Sequence, residues 1–268
     1  MTKILVLILI ALLSGGFYAL VLTPFDYIDI LYVALVFIGL VVTFCLLYLI
    51  FIVCYSLTLS KTKEYKKESK FVQIVTASLA RNILFFTNTK LTVKGKEKIP
   101  TDTRFLIVSN HKNAFDPICF NLALKGYNVG FISKPENFKI PFASNLISRE
   151  FYMPINREND REALKTILKA INLAKNNICS IGLYPEGTRN KTEKPLLEFK
   201  TGGFKIAQKA NIPIVVAIIK NIKKVNLNPF KKSVIEIEIL DVIYPDTFET
   251  STVDLGNRIY NIMLTNLQ

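Results

Sequence analysis

The chain offers very little to a transition metal: one histidine, His111, and four cysteines. Cys45 and Cys54 fall in an apolar run, and Cys119 and Cys179 stand far apart. No zinc-type spacing occurs, so neither a metal centre nor another cofactor is expected, and the cysteines read as reduced core or lipid-facing residues. The G-x-S-x-G elbow is missing as well, which argues against an α/β-hydrolase. Repeats and low-complexity tracts are absent. Charge is scarce at the front: residues 1–57 hold only Lys3, Asp26 and Asp29. That net of −1 leaves +14 for the remainder of a chain whose total is +13. The basic part lacks any recognisable nucleic-acid module or aromatic-glycine RNP pattern, so nucleic acid is not an expected partner.

What is present at the front is apolar. Residues 4–22 are uncharged and, as a helix, would extend about 28 Å, close to the roughly 30 Å core of a bilayer. Residues 31–57 are also uncharged and longer, enough to span with tilt. The linker "TPFDYIDI" carries two acids and no base, whereas "KTKEYKKESK" after the second run holds five lysines. The excess of lysine puts both ends of such a hairpin in the cytoplasm. A shallow interfacial hairpin bent at Ser14, Gly15 and Gly16 is a second reading, and a cleaved signal peptide a third. All three keep the main domain at the cytoplasmic face. The expected organisation is a membrane anchor over residues 1–60 and an α/β domain over 61–268, long enough to bury a core of its own.

Past the lysines, residues 71–86 read as a helix. Short β-branched runs follow: "LTVKG", "RFLIVS", "VGFIS", "ICSIGLY", "IPIVVAII" and "VIEIEIL". Continuous apolar runs of this length suit buried strands. Helical patterns lie between or after them, at 117–124, 160–175, 200–210 and 253–267. Alternating strands and helices predict a mostly parallel central sheet with helices on both faces.

Two strand-end segments carry residues with chemical potential. In "SNHKNAFDP", His111 follows a buried strand, and Asp116-Pro117 looks like a helix cap with proline at the first helical position. A carboxylate folded back onto the imidazole would fix its tautomer and leave the other nitrogen to take a proton. The alternative is a capping aspartate beside a turn histidine. In "LYPEGTRN", Gly187 permits a close backbone approach, Arg189 offers a planar fork of donors, and Glu186 can hold the loop or orient a hydroxyl. Its alternative is a solvated surface turn. Arg157, after the apolar run in "FYMPINREND", is a further candidate for phosphate, and Lys134 a weaker one.

Taken together, these blocks resemble the glycerolipid acyltransferases that convert lysophosphatidate to phosphatidate. The family's N-H-x-x-x-x-D block is similar to "NHKNAFD", its arginine-bearing block to "MPINR", its F-P-E-G-T-R-S block to "YPEGTRN" and its V-P-I-V-P run to "IPIVVA". The likeness covers roughly residues 70–245. Departures are Tyr184, Asn156, Asn190 and Val216. The resemblance implies acyl transfer from a thioester, coenzyme A or acyl carrier protein, to lysophosphatidate. His111 and Asp116 would be catalytic, and Arg157, Glu186, Gly187, Thr188 and Arg189 would bind substrate. Relatives acting on glycerol 3-phosphate or other lysophospholipids carry the same first and third blocks. Two rivals of another kind are a non-catalytic protein tethered to acidic membrane lipids and a membrane hydrolase.

Overall fold

The computed structural model describes Gly15 and residues 27–221, 231–249 and 251–267. The first apolar run therefore lies outside the described residues, apart from Gly15, as does most of the basic segment around residue 225. Contacts divide the chain into residues 1–58 and 59–268.

In the first unit, helix α1 spans Tyr27–Leu57. Over Leu31–Leu57 it is long and apolar enough to cross a membrane. Most of its large side chains are exposed, Leu35, Ile38, Leu46 and Phe51 among them, while Ile52 is buried. A helix apolar on every side has no polar face to turn to water, which is the pattern of a lipid-facing helix.

The second unit is an α/β domain. Its elements are α2 (Lys70–Phe86), β1 (Thr89–Lys94), β2 (Leu106–Val108), α3 (Asp116–Ala123), β3 (Val129–Ser133), α4 (Ala143–Arg149), β4 (Met153–Pro154), α5 (Asp160–Lys175), β5 (Ser180–Leu183), α6 (Lys205–Ala210), β6 (Ile214–Lys220), β7 (Ser233–Ile243) and α7 (Thr252–Leu267). Single 3₁₀ turns occur at Lys96–Lys98, Pro135–Lys139, Thr201–Phe204 and Pro245–Thr247. The strands form one sheet in the order β1-β7-β6-β2-β5-β3-β4. Only β6 and β7 pair antiparallel; every other neighbouring pair is parallel.

Alternation along the strands separates two cores. Leu106, Val108, Ile181, Ile214 and Val216 face α5, α6 and α7. Ile107, Val215, Ala217, Ile235 and Ile237 face α2 and α3. Burying each such side chain contributes about 1.5–3 kcal/mol. On β7 the alternation changes phase. A bulge opposite Val216 and Ala217 inserts a residue, so Ile239 faces one core and Ile243 the other.

The sequence pattern places α5 to the residue, because its ends are chemically marked. Asn159 caps it by accepting from the N–H groups of Arg161 and Glu162, each at 3.1 Å. Acids occupy the first turn and Lys175 the last, in line with the helix dipole. Two elements escape the pattern. Helix α4 is seven residues long and enters from Phe142 at positive φ with no side-chain cap. Strand β4 is two residues long and one of them is proline, which suits only a sheet edge. The helical stretch expected at 200–210 is a 3₁₀ turn followed by α6, since Gly202 and Gly203 weaken its start.

Behind the sheet, Glu150 ties α4 to α2. Its carboxyl accepts from the Thr76 hydroxyl at 2.6 Å and also meets Asn121 on α3. Burial pushes its pKa from 4.5 up to about 7. The folded protein therefore keeps a proton that the unfolded chain releases above 4.5. Stability falls as pH rises from about 4.5 to 7, by up to about 3 kcal/mol. Glu150→Gln keeps the acceptor oxygen and cannot ionise. Thermal midpoints of the full chain in uncharged detergent should fall more steeply between pH 5 and 7 for wild type than for the variant.

Candidate active site

The site is built at the carboxyl ends of β2 and β5, adjacent parallel strands about 4.8 Å apart. Beyond Val108 the chain is held like a strand for two more residues. Ser109 N–H donates to the Leu183 carbonyl. The fully buried Asn110 side chain then donates to the Ile219 carbonyl at 3.0 Å and accepts from the Ile219 N–H at 2.8 Å. An amide side chain thus finishes the ladder to β6 and releases the backbone into the loop that carries His111.

His111 is fixed at every backbone group. Its N–H donates to Glu186 Oε1 at 2.7 Å, and its carbonyl accepts from Asn190 N–H at 2.7 Å. Its ring stacks on Tyr184, centroids 4.3 Å apart and planes 16° from parallel. Tyr184 in turn stacks on Phe131. Phe131 lies flat across Gly182, its register partner on β5, where a Cβ would enter the ring. The imidazole rests on an aromatic column rooted in the sheet.

Asp116 is wholly buried, and its Oδ2 meets His111 Nδ1 at 2.7 Å. The same oxygen accepts from the N–H groups of Lys112 at 2.8 Å and Asn113 at 3.0 Å. Here the capping expectation is corrected. Phe115 is the cap residue, Asp116 opens α3, and Pro117 follows it. The carboxylate serves the loop before the helix rather than the helix itself, since three donors converge on it there. As a carboxylate can only accept, Nδ1 carries the proton and Nε2 presents its lone pair. Among the described residues nothing engages Nε2, and the side chain is 17% exposed, so the lone pair can meet a ligand.

Glu186 is 3% exposed and uses both oxygens on backbone donors: Oε1 on His111 N–H and Oε2 on Leu197 N–H at 2.8 Å. Burial raises its pKa, while the two N–H groups, Lys112 and His111 work in the opposite direction. Gly187 takes φ +70 so that the turn can reverse, and a Cβ there would press on the Lys200 side chain. Its own N–H is committed to the Tyr184 carbonyl. Thr188 and Arg189 are exposed and make no hydrogen bond or ion pair among the described residues. Arg157 stands three residues past β4, also at the carboxyl end of the sheet, exposed and within the field of Glu136. β4 lies two strands from β5, about 10 Å away, so Arg157 flanks the site rather than touching the His111 loop. Lys134 is exposed and paired with Glu136.

The sequence reading did not single out Asn110, nor Tyr184 as the support of the imidazole. A polar residue immediately after a buried apolar strand was the available signal for Asn110, because such a side chain must find backbone partners. Cys119 is buried, and desolvation pushes its thiol up to about 12, which leaves it a packed residue and no nucleophile.

A histidine held by a buried carboxylate, with its outer nitrogen free at the mouth of an α/β sheet, has the geometry that a general base requires. Comparison with known proteins finds relatives of this chain. Residues 90–220 match the family model described as Acyltransferase. The chain is 29% identical over 177 residues to 1-acyl-sn-glycerol-3-phosphate acyltransferase of Haemophilus influenzae, covering 64% of this chain and 73% of that one. It is 32% identical over 149 residues to the protein of that name in Escherichia coli, covering 54% and 60%. Curated relatives are spanned over 38% to 73% of their length. The crystal structure of the 1-acyl-sn-glycerophosphate (LPA) acyltransferase PlsC from Thermotoga maritima superposes with a TM-score of 0.58 at 21% identity. That superposition covers 82% of this chain and 88% of the other, a likeness of fold. Residues 90–220 are thus similar to the acyltransferase family.

Because both Glu186 oxygens accept from N–H groups, Glu186→Gln turns one of them into a donor facing a donor. Leaving a buried group unpaired costs about 1–3 kcal/mol. The variant should unfold at a lower temperature and also lose turnover, since the His111 loop shifts with it. Unchanged turnover in a destabilised variant would show that the loop position is immaterial.

Proposed function

We propose that the protein transfers a fatty acyl group from an acyl thioester to the sn-2 hydroxyl of 1-acylglycerol 3-phosphate, making phosphatidate for phospholipid synthesis. The observation that carries this reading is the 2.7 Å pairing of His111 Nδ1 with buried Asp116, which leaves Nε2 as the free base. The names of the relatives point to the same acceptor.

In the proposed reaction Nε2 of His111 takes the proton of the sn-2 hydroxyl as its oxygen attacks the thioester carbonyl. Asp116 steadies the imidazolium. When the tetrahedral intermediate collapses, the C–S bond breaks, the ester C–O bond remains, and the imidazolium returns its proton to the leaving thiolate. The donor is the thioester of coenzyme A or of acyl carrier protein; both present the same carbonyl. Glu186 acts by holding the His111 loop. Arg189, exposed beside the base and without a partner among the described residues, would take the acceptor's phosphate, with Arg157 flanking it; Gly187 and Thr188 shape that turn. Charge-assisted bidentate contact with phosphate is the chemistry for which a guanidinium is suited. Residues 1–60 would hold the 61–268 domain at the cytoplasmic face of the membrane, so that a lipid acceptor is met within two dimensions.

The test is phosphatidate formation by the full chain in lipid or detergent, with lysophosphatidate and either long-chain acyl-coenzyme A or acyl-acyl carrier protein. His111→Ala should lose about 10²–10⁴-fold in turnover, the range for a general base. Retention of wild-type turnover, release of free fatty acid, or acceptance of glycerol 3-phosphate alone would each overturn the assignment. Arg189→Ala should instead raise KM for lysophosphatidate about 10–100-fold with a smaller change in kcat, as expected for lost binding of an unreacting phosphate. A kcat-only effect would remove Arg189 from the phosphate site.

A further inference from the structure

A cavity of about 770 Å³ lies within the α/β unit and shares no residue with the His111 or Glu186 loops. Ile178, just before β5, and the carboxyl-terminal half of α5 line it. β5 runs about 13 Å from that end to the His111 end, and Met153 and Pro154 of β4 also line the cavity. Its floor is apolar: Tyr65, Phe151, Met153 and Leu173. Its rim carries Lys61, Lys63, Lys66 and Lys169, against the single carboxylate of Glu64. Among the described residues none of these four lysines is ion-paired.

The lysine wall is built in place. Tyr65 packs against the core of the domain, and its hydroxyl bonds both the N–H and the carbonyl of Ser60. The Arg149 guanidinium lies 4.2 Å over the Tyr65 ring and donates to the Lys67 carbonyl at 2.9 Å. A stacked, hydrogen-bonded arginine therefore fixes the segment that bears three of the lysines. Lys61 follows Leu57 by only four residues, a reach of at most about 14 Å from the end of the apolar helix. Four cations above an apolar floor, tethered next to a membrane-length helix, match one ligand chemistry: a phosphate ester joined to hydrocarbon.

We infer that this cavity binds the headgroup of an anionic glycerophospholipid of the surrounding membrane, at a site separate from the acceptor site. The lysines take the phosphate, and the floor takes the glycerol and the first methylenes. Each lysine near an anionic lipid surface is worth about one kcal/mol, so four can retain a lipid that one would not. The inference is independent of the acyl-transfer reading, because it uses none of the residues of that site.

The experiment titrates the full chain in uncharged detergent with dioctanoyl phosphatidylglycerol, dioctanoyl phosphatidylcholine or inorganic phosphate, reading the thermal midpoint. Phosphatidylglycerol should raise it saturably, by about 5 °C at a hundredfold excess over Kd. Phosphatidylcholine and phosphate should do little. The triple variant K63E/K66E/K169E should abolish the rise, while K90E/K205E/K209E, with the same change of charge on exposed lysines elsewhere, should keep it. An equal rise in K63E/K66E/K169E would place the lipid elsewhere and overturn the inference. An equal rise with phosphate would make this a free-anion site, and one with phosphatidylcholine a purely apolar one; both overturn it. His111→Ala should keep the full lipid response, so failure of the catalytic reading leaves this result interpretable.

Discussion

The carboxylate of Glu186 is the interaction on which the rest of the site depends. Two loops leave the sheet from neighbouring strands, and each has backbone groups that the ladder no longer satisfies. One buried side chain accepts from both, at His111 and at Leu197, and so joins the loop after β2 to the segment that follows the loop after β5. An ionised or neutral carboxyl is expensive to bury alone, but two well-aligned N–H donors replace the water it loses. What this secures is position. The imidazole is placed by its backbone, its face by Tyr184, and its proton by Asp116, so that little reorganisation remains for the moment of reaction.

Much of this was legible in the sequence, and the limits follow from how each signal arises. Strands and long helices announce themselves by the side chains they bury, α5 among them. His111 and Asp116 were readable as a pair because a lone histidine after a buried strand invites the question of its partner. The direction of the Asp116 carboxylate was less accessible. From sequence an aspartate before proline is a cap; only the fold of residues 111–115 turns three donors toward it. Glu186 posed a similar difficulty, since a carboxylate that binds substrate and one that holds a loop look alike on paper. Strand β4 was beyond reach because two residues, one of them proline, carry no period at all.

The lysine-rich stretch after α1 also changes character between sequence and structure. Read as composition it is a basic junction that either stands solvated or meets anionic headgroups. In the folded domain Tyr65 and Arg149 pin it against the α/β core, so its charges stand in a fixed array rather than on a loose tether. A covalent link between the apolar helix and the domain becomes a wall of the domain itself.

The sheet order has a consequence for how the protein is made. β1, the first strand of the domain, completes its pairing only with β7, and Thr92 bonds to the carbonyl of Ile235 across 143 residues of sequence. At ordinary rates of synthesis that interval is about 7–30 s. Throughout it, β1 has emerged from the ribosome with its pairing groups open, close behind a helix apolar enough to enter a bilayer. Nascent chains of this protein thus spend their most vulnerable interval with an unpaired strand. Their dependence on chaperones should be set by the arrival of the last strand rather than by the site that gives the protein its chemistry.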